Sequence, residues 1–215
     1  MQPRLYGESD AAFIGIEAEN WGKWEGINTR HYIVRLHQSV HVVREFEKVV
    51  EHSLRMLRTP EKFRRDTMDA ALAEIPGIFA EQAAMYVGQL LWLARGPRPA
   101  IAHAVQRLST RVHGWTCEED QALYHLMQYL KGTVNKSLWY VISPYDKQNG
   151  LLFLHGRADS DHAGEATSAR STSGWRLALE GPRSFALLDW GSRRQDGTAK
   201  STTEAELLAI GDFIY

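Results

Sequence analysis

A chain of 215 residues, 44% apolar and 24% charged, carries enough apolar side chains for one large domain or two small ones, which excludes a disordered or low-complexity protein. Its 26 acidic and 25 basic residues nearly cancel, so no global field directs it to nucleic acid or to an anionic membrane, and any such contact has to be built locally. The single cysteine, Cys117, excludes an internal disulfide and a cysteine-rich zinc site and suits a reducing compartment.

The N-terminal stretch MQPRLYGESDAAFIGIEAENWGKWEG has neither a basic start with a long apolar run nor a small-residue cleavage pattern. No stretch approaches the roughly 20 apolar residues that span a bilayer. The expectation is an intracellular, soluble protein with no membrane partner. Residues 12–19 predict a strand, NWGKWEG a hairpin turn, and INTRHYIVRLH the returning strand. From Gln38 the period lengthens: Val40, Val43, Phe46, Val50, Leu54 and Leu57 mark one amphipathic helix that ends before Thr59-Pro60. Three further helices follow. The stretch EQAAMYVGQLLWLARG is apolar over much of its circumference, as a central helix would be, and Ile101, Val105, Leu108 and Val112 form a stripe on the next. In the third, Thr116 and Glu119 fit a capping box, Leu123, Leu126, Met127 and Leu130 form the buried face, and Gly132 supplies the stop.

Proline, glycine and polar residues cluster in SPYDKQNG, residues 143–150, and the boundary is placed there, giving regions 1–148 and 149–215. Beyond it LLFLHGRAD is apolar on both alternating faces, the pattern of a central strand, and GWRLALEG and SFALLDWGS are two more strands joined at Gly181-Pro182. The last element, STTEAELLAIGDFIY, is a helix capped by Ser201 and Glu204. The expected order is three sequential strands and then a helix.

If the first of these strands stays extended to residue 161, its period of two sends Asp159 and Asp161 to one side of the sheet. Two close carboxylates repel unless a cation compensates them, and magnesium accepts such oxygen ligands together with water and phosphate. An Asp-Ser-Asp before a glycine is, however, often a solvated turn. In the final helix Glu204 is occupied as a cap partner, whereas Glu206 shares a stripe with Ala209, Ile210 and Phe213. An ionised carboxylate on a packed face requires a cation or hydrogen bonds, and a metal shared with Asp159 would satisfy it.

The segments GRADSDHAG, ARSTSGW, LDWGSRRQ and KSTTEAELLAI occur in an order and spacing that resemble the ribonuclease H domain of copia-type LTR retrotransposon polyproteins. FIGIEAE, LHQSVHVVREF, YVGQLLWLARGPRPAIAHAVQRLS and HLMQYLKGT resemble the segment joining the reverse transcriptase core to that nuclease. The resemblance implies an α+β chain: an RNase H-like mixed sheet, three antiparallel strands and then a helix, preceded by a mainly helical reverse transcriptase connection region. It implies hydrolysis of the RNA strand of an RNA–DNA hybrid by two magnesium ions, with manganese as the alternative, which stabilise the attacking and leaving oxygens. Carried over by motif, Asp159 is the strand carboxylate that touches both metals and Glu206 the helix carboxylate. Asp161 matches a further motif position.

The chain also departs from the family's pattern. His162 stands where an aromatic residue is expected and Ala100 where an aspartate is. The family's later aspartate and its acidic residue near a histidine would follow Tyr215, and the polymerase motif Tyr-x-Asp-Asp would precede residue 1. The expectation is therefore a truncated nuclease, impaired in activity and without polymerase chemistry, whose partners are an RNA–DNA hybrid or other nucleic acid and the remaining polyprotein segments.

Residues 167–200 hold six Arg or Lys against three acids, and Arg193, Arg194 and Trp190 are the candidate contacts to phosphates and bases. A non-catalytic nucleic-acid-binding remnant is the second reading. A phosphatase-like Asp-x-Asp enzyme is the third, and it requires parallel strands alternating with helices. His37, His41 and Glu45, at i, i+4 and i+8, would line one helical face as metal ligands but lack a fourth ligand, and a polar helix face is preferred.

Overall fold

The computed structural model describes the backbone of residues 12–13, 16–26, 29–37, 39–61, 75–136, 138–163 and 169–214, and within those ranges the side chains from residue 42 onward. The chain divides into two compact units, Met1–Leu36 with Leu138–Tyr215, and His37–Ser137.

The first unit is built on a sheet. Its strands are β1 (Ala12–Phe13), β2 (Ile16–Gly26), β3 (Thr29–His37), β4 (Leu138–Ile142), β5 (Phe153–Asp161), β6 (Thr172–Gly181) and β7 (Ser184–Arg194), in the spatial order β1-β2-β3-β4-β7-β6-β5. The expected hairpin turn NWGKWEG lies instead within β2, where two tryptophans favour the extended backbone more than Gly22 and the terminal Gly26 oppose it. The three strands expected after residue 150 form an antiparallel meander, β5 with β6 and β6 with β7, and the helix α6 (Thr202–Ile214) packs back on β5 and β6. This order is incompatible with the phosphatase-like arrangement, because no parallel strand pair joined by a helix is present among the described residues. Among the described residues β5 stands at the end of the sheet order, with Phe153 and Leu154 54% and 64% exposed.

A buried carboxylate holds the β6–β7 turn. Asp146, on the short helix α5 (Pro144–Gln148), accepts hydrogen bonds at Oδ2 from Arg183 N (2.8 Å) and Ser184 Oγ (2.7 Å). The Arg183 guanidinium then lies over the Tyr145 ring at 4.5 Å.

The second unit is helical, with α1 (Ser39–Val50), α2 (Ala83–Arg95), α3 (Ala102–Ser109) and α4 (Cys117–Gly132). Phe46 is fully buried at its centre, with ring centroids of Phe79, Tyr86 and Tyr124 at 5.5, 5.5 and 5.2 Å. α1 stops earlier than its apolar period suggests, because Glu51 takes a left-handed φ of 56°. Leu54 is buried even so, and Glu47 accepts from both Leu54 N (2.7 Å) and Lys131 Nζ (2.6 Å), tying this segment to α4. His37 belongs to β3, which breaks the proposed helical His-His-Glu stripe; the His41 side chain lies outside the described residues.

In α4 the capping box is present, with Glu119 Oε2 accepting from Thr116 N at 2.8 Å, and Leu123, Leu126, Met127 and Leu130 are fully buried. Gly132 serves close approach, since a Cβ there would collide with the backbone carbonyl of Leu57. α2 is not central on all sides: Met85, Leu91 and Trp92 are exposed. No helix among the described residues is long and apolar enough to cross a membrane.

Asp120 joins three donors, Ile78 N (2.6 Å), Phe79 N (3.3 Å) and Trp115 Nε1 (2.7 Å). Replacing Asp120 by alanine strands these groups with no acceptor, and urea denaturation should show a loss of roughly 3 kcal/mol. Glu61 gives a pH signature. Burial pushes its carboxyl up, but the hydrogen bond and charge of His103 (2.8 Å) and the nearby Arg107 (3.1 Å) outweigh this and hold it below the ordinary value of 4.5. A depressed folded-state pKa stabilises fully above the unfolded value, and that contribution disappears as pH falls through the folded one. Thermal melts of Glu61→Gln should therefore lie below wild type at neutral pH and converge with it in acid.

Candidate functional site

The candidate carboxylates sit on β5 and α6, and one contact fixes their relation. Nine consecutive residues of β5 pair with β6 without a register shift, from Phe153 opposite Glu180 to Asp161 opposite Thr172. A Cβ on Gly156 would come within 2.5 Å of the Phe213 ring, so Gly156 points at α6. Strand alternation then places Ala158 and Ser160 on that covered face and Arg157, Asp159 and Asp161 on the opposite one. Asp159 and Asp161 are exposed, and Asp159 Oδ1 accepts from Ser160 N at 3.0 Å.

α6 buries Ala205 and Ala209 against the sheet. Its cap is the expected one, with Glu204 N donating to Ser201 Oγ at 3.2 Å. Three polar contacts anchor it that sequence reasoning missed. Ser173 Oγ donates to Asp212 Oδ2 (2.6 Å), Gln195 Nε2 donates to the Ala205 carbonyl (2.9 Å), and Arg193 lies 3.6 Å from Asp212 Oδ1. Asp212 shares the inner stripe of Ala205 and Ala209, a placement readable from the helical period. Glu206, seven residues before Phe213 and so on nearly the same stripe, is exposed on the helix flank. The structure thus brings Asp159 and Asp161 to one face and leaves Glu206 on the other side of the sheet. Among the described residues no three His, Cys, Asp or Glu side chains gather where one metal ion could be held.

The same alternation separates the two adjacent arginines. Arg193 faces α6, paired with Asp212 and, at 3.0 Å, with Asp196. Arg194 and Trp190 belong to the face opposite α6. There the register aligns Arg157, Arg176 and Trp190 in one cross-strand row, with Arg194 four residues along β7. Glu180 partly balances this row, accepting from Arg176 at 3.4 Å and lying 2.8 Å from His155 Nδ1. The His155 hydrogen bond is the main reason its carboxyl is held below the usual range. Arg157 and Arg176 escaped the sequence reading because they lie 19 residues apart and meet only through strand pairing.

No family model matches the chain, and no solved structure does. Curated relatives do. The chain is 36% identical over 126 residues to a retrovirus-related Pol polyprotein from transposon RE1 of Arabidopsis thaliana, and 32% identical over 123 residues to one from transposon TNT 1-94 of Nicotiana tabacum. These alignments cover 59% and 57% of this chain but 8% of either polyprotein. A secreted RxLR effector protein of Plasmopara viticola is 32% identical over 126 residues, 59% of this chain and 82% of its own length. Over 57–59% of its length the chain is homologous to retrovirus-related Pol polyproteins of copia-type transposons.

Proposed function

We propose that the chain is the part of such a polyprotein in which the reverse transcriptase connection region leads into the first half of an RNase H-like module, and that it contacts nucleic acid without cleaving it. The order of three antiparallel strands and a helix packed back on them supports the first half of this reading. Metal-dependent hydrolysis of RNA in RNA–DNA hybrids is the ancestral chemistry under it, with magnesium as the ion. The residues here do not fit that ion pair: Asp159 and Glu206 project to different sides of the sheet.

The observation that carries the binding reading is that Arg176, Trp190 and Arg194 share the sheet face opposite α6. Guanidinium groups neutralise phosphates, and an indole offers a stacking surface for an unpaired base. Arg193, drawn to Asp212, serves the fold instead.

Titration of a labelled RNA–DNA hybrid should show weak binding that falls steeply with salt and is indifferent to magnesium. Joint replacement of Arg176 and Arg194 by alanine should weaken it about tenfold at low salt and flatten the salt dependence by about two phosphate contacts. Hybrid cleavage with magnesium or manganese should stay at background. Turnover abolished by Asp159→Asn would instead establish an assembled nuclease centre and overturn this reading.

A further inference from the structure

The turn at Asn149-Gly150 joins the short helix α5 to β5. Asparagine amides are among the thermolabile groups of proteins. Their loss is internal: the backbone nitrogen of the next residue attacks the side-chain carbonyl carbon, and a side chain on that next residue obstructs the approach. Asn20, Asn28 and Asn135 precede Trp21, Thr29 and Lys136, whereas Asn149 precedes a glycine.

The local structure leaves the attack open. Asn149 and Gly150 are both exposed. Gly150 takes a left-handed φ of 65°, and no atom stands within 4 Å of where its Cβ would be. Its N–H donates to the Lys147 carbonyl at 3.4 Å, long for an amide hydrogen bond, so the attacking nitrogen is weakly held. We infer that Asn149 is a site of self-catalysed deamidation, and that its product loosens the hold of α5 on the β6–β7 turn. Gly150 N gives up its proton and bonds to Asn149 Cγ. The Cγ–Nδ2 bond breaks, and ammonia leaves with that proton, closing a five-membered succinimide. Water then opens the ring at Cγ to give aspartate, or at the main-chain carbonyl carbon to give isoaspartate. The sum is one water consumed and one ammonia released, with no oxidant, reductant or cofactor. The new acid ionises, so the formal net charge of -1 becomes one unit more negative.

That carboxylate meets the wrong group. Asn149 Nδ2 donates to the Tyr145 carbonyl at 2.8 Å, and Asn149 N donates to the same oxygen at 3.0 Å. Replacing the side-chain donor by an anion sets acceptor against acceptor, at a helix end where carbonyl groups already concentrate negative charge. Isoaspartate also lengthens the main chain by one methylene just before Leu151, whose N–H donates to the Asp146 carbonyl at 2.9 Å. Asp146 is the buried residue that accepts from Arg183 N and Ser184 Oγ, so a loosened α5 is felt in the β6–β7 turn.

Ageing the full chain at neutral and at mildly alkaline pH tests both halves. Peptide mapping by mass spectrometry should show the Asn149 peptide gaining one mass unit and splitting into two chromatographic forms. The change should run faster at the alkaline pH, because the attacking nitrogen has to lose its proton. Asn135, also exposed, should keep its amide over the same period. Gly150→Ala should slow the loss about tenfold, equivalent to about 1.4 kcal/mol of barrier. Asn149→Gln, which would have to close a six-membered ring, should keep its amide and does not touch the left-handed position. In the aged protein and in Asn149→Asp, the Leu151 and Arg183 amides should exchange with deuterium about tenfold faster. The Ile78 amide, held by Asp120 in the other unit, should keep its rate. An Asn149 that stays intact while a synthetic KQNGLL peptide deamidates shows that the fold protects the site and overturns the inference. Deamidation that leaves exchange at Leu151 and Arg183 unchanged overturns its structural half.

Discussion

The Phe213 ring pressed onto Gly156 is the constraint from which the rest of the first unit follows. Only a residue without Cβ admits the ring at that distance, and the contact selects which face of β5 the helix covers. Once that face is chosen, the period of two leaves no freedom: every odd-numbered residue from 153 to 161 projects away from α6. The polar contacts of Ser173, Gln195 and Arg193 to the helix agree with this choice from the two neighbouring strands. A shift of one residue in β5 would exchange Asp159 for Ser160 on the covered face and bring a carboxylate under the helix.

The second unit depends on a different device, buried polar groups that replace missing secondary structure. Asp120 serves two backbone amides in the turn ahead of α2 and the indole of Trp115, so the connection needs no regular hydrogen-bond ladder to be buried. Glu47 does the same for the segment after α1, with Lys131 offsetting its charge and, through the hydrogen bond it donates, holding the carboxyl below its usual range. Each of these carboxylates sits on a helix and reaches a loop, which is how short helices of eight to sixteen residues hold irregular chain between them.

What the sequence made legible was periodicity, and what it hid was everything that depends on pairing across distance. The α4 capping box, the stripe from Ile101 to Leu108 and the meander of three strands before a helix were readable because each signal lies within a few residues. The end of α1 was not, since the apolar period continues through Leu54 while Glu51 turns left-handed, and burial of Leu54 by a loop satisfies the same pattern as burial by a helix. Glu206 illustrates the harder failure. Its stripe was read correctly as that of Phe213, yet the stripe alone could not say that Gly156 meets Phe213, and that meeting sends Asp159 to the far side. Arg193 and Arg194 read as one basic patch in sequence, but adjacent residues of a strand face opposite ways, and one of them serves the fold.

β5 shows why a strand's apolar pattern does not fix its place in a sheet. Phe153 and Leu154 give it the two-faced character of a buried central strand, whereas among the described residues the sheet order puts it last, with β6 on one side. Apolar residues on both faces report that both faces are meant to be covered; they say nothing of the in-plane edges, where only backbone groups point. Charge does carry that information, because side chains on neighbouring strands of one face lie within about 5 Å of each other and their signs must agree with what stands opposite. Along the β6 side of β5 the signs are mixed, with Arg157 facing Arg176 and Phe153 facing Glu180.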